Sequence, residues 1–108
     1  MSELDEVEAT LKSDWITAGP RTHAFEAAFG EYVGAPMGAS LMLNSCTAGL
    51  HVALVALGVG PGDEVIVPTL TFAATANVVD PVGAPPVLVD VLPDPLCMDP
   101  GAVARAIT

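Results

Sequence analysis

The stretch Asn44-Ser45-Cys46-Thr47-Ala48 has the residue types best suited to holding an anion, small polar side chains where an apolar run ending at Leu43 gives way to a helical pattern. A strand, a tight turn and a helix N-terminus in that order leave backbone N–H groups unpaired and a partial positive charge at the turn. Small side chains then let a phosphate touch the backbone directly. Two further runs add chemistry. Pro68 to Phe72 follows the apolar Glu64-Val65-Ile66-Val67 and offers Phe72 as a flat apolar surface, while Val87-Leu88-Val89 leads to the carboxylate of Asp90. Ligands in parallel α/β sheets gather beyond the C-terminal ends of strands, so these three loops would converge on one edge and suit a phosphorylated aromatic cofactor. Each also has a plainer reading: Ser45 and Thr47 as helix caps, Phe72 as core, Asp90 as a turn cap. Cys46 as a nucleophile would need a base, and His51, five positions later, falls on a different side of the helix.

The elements that must position these residues follow from periodicity and punctuation. Leu4, Val7 and Leu11 predict an amphipathic helix over 3–12. Ser13 to Pro20 reads as a loop, anchored by Trp15 and opened by Gly19 ahead of proline. Pro20 suits the first position of a second helix that carries Phe25 and Phe29 as core residues and stops at Gly34. Gly38 to Leu43 is strand-like. Thr47 to Leu57 is a helix with Leu50, Ala53, Leu54 and Leu57 on one face, ended by Gly58-Val59-Gly60-Pro61-Gly62. That glycine cluster follows a helix and precedes a strand, the reverse of a dinucleotide-binding fingerprint. Glu64 to Val67 reads as a strand buried on both faces. Thr69 or Thr71 then caps a helix over about 72–79. Val87 to Val91 is a third strand, and Asp99-Pro100 opens a last helix with Asp99 as its N-cap. Alternating strands and helices imply an α/β fold with three mainly parallel strands and flanking helices.

Composition removes several classes of function. At 108 residues the chain forms at most one domain, and 52% apolar content is high for a free-standing one of that size. Thirteen acidic residues against three basic ones give a net charge of -10, which repels nucleic acid and anionic membrane surfaces. The uncharged segment from Tyr32 through Gly62 is broken by polar residues, glycines and prolines well before the ~20 apolar residues a bilayer requires. The acidic N-terminus lacks a signal-peptide layout, which makes the cytoplasm the expected compartment. Cys46 and Cys97 suggest neither a disulfide framework nor, with His23 and His51, a metal site.

Four segments together carry a resemblance. Trp15-Ile16-Thr17-Ala18-Gly19-Pro20 with Phe25-Glu26, Asn44 to His51, Gly62 to Pro68 with Thr71 to Ala76, and Pro86 to Val91 resemble the N-terminal part of the DegT/DnrJ/EryC1/StrS aminotransferases. These are fold-type I enzymes that depend on pyridoxal phosphate (PLP) and act mostly on sugars. The resemblance implies that residues 1–108 are part of the large, cofactor-binding domain, with the remainder of that domain and a small C-terminal domain absent. Thr47 and Ala48 would hold the cofactor phosphate through backbone N–H and hydroxyl, Phe72 would stack on the pyridine ring, and Thr17 and Gly19 would border the substrate. Cys46 stands where relatives often have glycine or another small residue.

The implied reaction moves an amino group from an amino acid such as glutamate to a nucleotide-linked keto sugar, in a homodimer when the protein is complete. It also needs a Schiff-base lysine and a carboxylate on the pyridine nitrogen, both of which come later in relatives than residue 108. The only lysine is Lys12, on the first helix, so no catalytic residue is assigned and this chain by itself is expected to be inactive. In relatives the first strand is separated from the next two by later ones, which would leave Gly38 to Leu43 without a neighbour. The alternative is a non-catalytic truncated or split module that binds phosphate or pairs with a complementary chain.

Overall fold

The computed structural model describes residues 2–108, which form two compact units, 2–42 and 43–108. The first contains two helices, α1 (Glu3–Lys12) and α2 (Pro20–Val33). Ser2 caps α1 in a capping box: its hydroxyl accepts the Asp5 N–H at 3.3 Å, and the Asp5 carboxylate accepts the Ser2 N–H at 2.8 Å. The backbone N–H of Ser2, and after it the hydroxyl, hold the Asp5 carboxyl below its ordinary pKa. Pro20 opens α2 as expected. Gly34 closes it with φ 69°, a left-handed conformation that glycine adopts without penalty.

Burial in this unit differs from expectation. Leu4, Val7 and Leu11 are all exposed, and so are Phe25 and Phe29, whose rings lie 6.3 Å apart and tilted by 57°. The aromatic pair is therefore not core. Four residues apart on one helix, the rings meet each other instead. Only Gly19 and Gly30 are buried here.

The expected strand at Gly38 to Leu43 does not form, so the sheet has two strands rather than three. A strand needs a partner to take its N–H and C=O groups, and in its place the Met42 N–H donates to the Glu26 carboxylate at 2.9 Å.

The second unit is α/β. It runs α3 (Cys46–Ala56), β1 (Val65–Pro68), α4 (Ala74–Asn77), a 3-10 turn (Asp80–Val82), β2 (Pro86–Val89) and α5 (Pro100–Ala106). The strands pair in parallel, with Val65 opposite Pro86 and Pro68 opposite Val89. Val67, Val78, Val79 and Ala84 form the buried cluster, and Leu54, Val59, Val65 and Val82 pack against it. Of the expected apolar face of α3 only Leu54 reaches this cluster, while Leu50, Ala53 and Leu57 stay exposed. β1 is likewise buried only at Val67, with Val65 and Ile66 half-buried. α4 is shorter than the expected 72–79 because neither threonine caps it: the Thr71 hydroxyl bonds that of Thr75 at 2.9 Å, and Ala73 stands at the N-cap. Asp99 caps α5 as expected, accepting the Gly101 N–H at 2.8 Å. Among the described residues no helix is long and apolar enough to cross a membrane.

Candidate functional site

The first turn of α3 is built by Ser45. Its extended backbone (φ -163°, ψ 157°) brings the chain into the helix, its hydroxyl accepts the Ala48 N–H at 3.1 Å, and its carbonyl accepts the Gly49 N–H at 3.1 Å. A helix begins with four N–H groups that no preceding turn can satisfy. Of these, at Ser45, Cys46, Thr47 and Ala48, the Ser45 hydroxyl takes up that of Ala48, while the Gly49 N–H makes the first bond within the helix; the N–H groups of Cys46 and Thr47, with that of Ser45 before them, are left without a protein partner among the described residues. Of the expected pair, the Thr47 N–H is free and the Ala48 N–H is held by the Ser45 hydroxyl. Cys46 was overlooked as a donor. The signal was present, because a serine N-cap claims the amide three positions later and leaves the two between.

Beside this turn lies an open hollow of about 400 Å³, lined by Asn44, Ser45, Thr47, Ala48 and His51 and, from α4 and the turn after it, by Asn77, Val78 and Pro81. No lysine or arginine occurs between Arg21 and Arg105. An anion here would be met by amide dipoles, the Thr47 hydroxyl and the helix end, with no cationic side chain from this segment. His51, weighed in the sequence only as a base for Cys46, and Asn77, not singled out there, both line the hollow, since their approach depends on how α3 packs on α4.

Phe72 does not line this hollow. Its carbonyl accepts the Thr75 N–H at 2.9 Å, which fixes the backbone entering α4, while the side chain is 79% exposed. The plainer reading of Phe72 as core is thereby excluded. Asp90 fits its plainer reading: it accepts the Val91 N–H at 2.8 Å and the Thr69 hydroxyl at 3.4 Å, tying the ends of β1 and β2 together. Cys46 is a free, exposed thiol, and no hydrogen bond joins it to His51 or to any other base among the described residues.

Thr17 and Gly19 belong to the first unit, where a hollow of about 380 Å³ is lined by Thr10, Ser13, Trp15, Thr17, Gly19 and Arg21, among others. The Thr17 hydroxyl is exposed and has no partner among the described residues, whereas Gly19 is buried against the Trp15 indole. Lys12 sits at the exposed end of α1, paired with Glu8. Arg21 pairs with Glu6.

Comparison with known proteins gives this geometry its setting. The chain is similar along its whole length to Spr1654 of Streptococcus pneumoniae, assigned as a sugar aminotransferase and solved in a PMP-form, with 44% identity and a TM-score of 0.91. The same protein in its PLP-form matches equally well. It also resembles the aminotransferase TlmJ of Streptoalloteichus hindustanus, with 39% identity over all of this chain and 30% of that one, at a TM-score of 0.90. A third match is ntda of Bacillus subtilis with bound PMP, at 35% identity and a TM-score of 0.88, covering 97% of this chain and 24% of that one. The chain spans about 27% of the length of Spr1654. The sequence model of the DegT/DnrJ/EryC1/StrS aminotransferase family matches residues 1–108, and with these relatives in view the chain belongs to that family.

Proposed function

We propose that this chain is the opening part of the cofactor-binding domain of a PLP-dependent aminotransferase, followed in the complete protein by the rest of that domain and a small C-terminal one. The reaction is transfer of an amino group from an amino acid such as glutamate to a nucleotide-linked keto sugar, carried out by a homodimer. The observation that carries this reading is the pair of unpartnered N–H groups at Cys46 and Thr47, next to the Thr47 hydroxyl at a helix N-terminus.

These residues fit the cofactor's phosphate. Two amide donors and a hydroxyl converge where the helix end is electropositive, and Ala48 can add a third amide once the Ser45 hydroxyl gives it up. Phe72, exposed and held only through its backbone, presents a free aromatic face of the kind that stacks on a pyridine ring. When bound, PLP supplies an electron-withdrawing ring and a reactive carbonyl, which is the chemistry amino-group exchange requires. This chain's part is to bind and orient. Thr17 and Gly19 border the sugar, with the Thr17 hydroxyl free to donate or accept.

A second reading, a non-catalytic module that binds phosphate or pairs with a complementary chain, is favoured by one observation. The only lysine, Lys12, is exposed and paired with Glu8 on the outside of α1.

One titration separates the two. In the complete protein, PLP is expected to shift the backbone resonances of Cys46 and Thr47, and Thr47→Ala to weaken its binding about tenfold, the loss of a charge-assisted hydrogen bond. Repeated turnover of glutamate, beyond one equivalent per cofactor, should then require a nucleotide-linked keto sugar. Phosphate binding without any such turnover would favour the non-catalytic module, and resonances of the first turn of α3 that PLP leaves in place would remove both readings.

A further inference from the structure

We propose that Trp15 is a positioning residue for the sugar-bordering loop: its indole locks residues 13–19 into one conformation and keeps Thr17 available to substrate. The proposal rests on the assignment of Thr17 to the substrate side. Trp15 is the only tryptophan in the chain, yet it is 56% exposed and so is not an ordinary core anchor. Instead it closes its own loop. The indole N–H donates to the Ala18 carbonyl at 3.0 Å, and the Trp15 backbone N–H donates to the Ser13 hydroxyl at 3.2 Å. That hydroxyl in turn donates to the Thr10 carbonyl at 2.7 Å, tying the loop to the last turn of α1.

Gly19 supplies the independent observation. Its φ of -173° is extended backbone open to any residue, so conformation does not call for glycine here. Space does: a Cβ at this position would stand 2.0 Å from the indole nitrogen and 2.5 Å from Cδ1. Gly19 is thus the seat of the Trp15 ring, and any side chain there would expel it. Asp14, just before the tryptophan, turns the chain out of α1 at φ 59°, a left-handed conformation that aspartate tolerates after a helix C-cap. Around the same hollow the hydroxyls of Thr10 and Ser13 are spent on backbone carbonyls, whereas those of Thr17, in the loop, and Thr22, on α2, are not. A loop locked at both ends with one hydroxyl left over can hold a polar ligand without the cost of ordering a flexible segment.

The test uses the complete holoenzyme, with glutamate as donor and thymidine- and uridine-diphosphate-linked 4-keto-6-deoxyhexoses as sugar probes. Trp15→Phe keeps a ring but loses the donor. It should raise the sugar KM about fivefold, the size of one net hydrogen bond, and leave the rate of the glutamate half-reaction unchanged. Thr17→Ala should do the same. Because Trp15 acts through Thr17, the double variant should match Thr17→Ala within about twofold rather than multiply the effects. Gly19→Ala, which expels the indole with its chemistry intact, should reproduce Trp15→Phe and decides the matter if the latter fails to fold. Multiplying effects, an unchanged sugar KM, or an equal loss in the glutamate half-reaction would overturn the role of Trp15 alone. A wild-type enzyme that neither carries out the glutamate half-reaction nor aminates a probe would sink the proposed reaction and this role with it, whereas a normal half-reaction with no probe aminated would remove the assignment of Thr17 to the sugar side.

Discussion

The two units of the molecule solve the same problem, how to fix a chain of small apolar residues, in opposite ways. Residues 43–108 bury valines: Val67, Val78, Val79 and Val89 are each at most 6% exposed, and the first three share one cluster with Ala84. Residues 2–42 contain eleven exposed large apolar side chains, from Leu4 through Leu41, and bury only two glycines. What orders them is polar and local: the capping box of α1, the Trp15 ring closure and the Glu26 carboxylate on the Met42 N–H. Composition alone cannot distinguish these regimes, because apolar content says how much surface is available to bury and not whether a strand or helix is present to bury it against.

The strongest break in the comparison is Val79→Asp. Val79 is fully buried, and a carboxylate placed there without a partner is expected to cost more than about 4 kcal/mol, comparable to the whole stability of a unit this small. Amide hydrogen exchange should then show β1, β2 and α4 losing protection, with α1 and α2 keeping theirs. Protection lost equally in both units would mean that they are not ordered by different means. Val79→Ala, which removes two methyl groups and leaves a small cavity, should weaken the second unit by about 2 kcal/mol.

The same contrast explains what the sequence disclosed. The starts of α2 and α5 and the stop of α2 at Gly34 were legible, because Pro20, Gly34 and the Asp99-Pro100 pair act on the backbone directly beside them, whereas α5, expected to run on through Thr108, ends at Ala106 where Ile107 turns extended with no stop residue to announce it. α1 was legible through the spacing of Leu4, Val7 and Leu11, although that face turned out to be exposed: periodicity predicts which residues share a face and is silent about what covers it. The segment 38–43 reads as strand-like yet was expected to lack a neighbour, and without a partner to complete the ladder it forms no strand; Glu26 takes the donor of Met42 instead. At the candidate site the turn into α3 was visible from small residue types. The identity of the free donors depended on a single side chain, Ser45, whose reach to Ala48 leaves those of Cys46 and Thr47.

Ser45→Ala is the next largest expected effect and sharpens the point. Losing an N-cap hydroxyl costs about 1 kcal/mol, so the second unit should be destabilised by that amount, read from denaturant midpoints at unchanged slope. The variant also frees the Ala48 N–H. If the first turn of α3 holds phosphate, the loss of stability should be accompanied by unchanged or tighter PLP binding in the complete protein; weaker binding would show that the serine hydroxyl, rather than the amides, is the ligand.

In the first unit the corresponding effect is smaller and depends on pH. The Met42 N–H, and after it the His23 imidazole 3.0 Å away, hold the Glu26 carboxyl below its ordinary pKa. A carboxyl whose folded pKa is depressed stabilises the fold fully above its unfolded pKa and loses that contribution as pH falls through the folded value. Exchange of the Met42 amide should therefore be pH-independent, after correction for intrinsic rates, near neutrality and should quicken on acidification below the usual glutamate range. Glu26→Gln keeps an acceptor but no charge, so its Met42 amide should be slightly less protected at neutral pH and show no acid step. A step that persists in the variant would assign the titration to another group.

The smallest expected effect is the most informative about function. Phe72 lies in the well-packed unit yet exposes 79% of its surface, with only its carbonyl engaged in the turn before α4. Phe72→Ala should consequently leave the stability of the second unit within about 0.5 kcal/mol of the parent, as is usual for exposed positions that make no packing contact. A large aromatic residue that contributes nothing to folding has its use elsewhere. In the complete protein the same substitution should weaken PLP binding and alter the absorbance of the bound cofactor through the lost stacking face. Stability falling by 2 kcal/mol or more in Phe72→Ala would place the ring in the core after all. An unmoved stability with unmoved PLP binding would strip Phe72 of its proposed part in the site and leave that proposal resting on the first turn of α3.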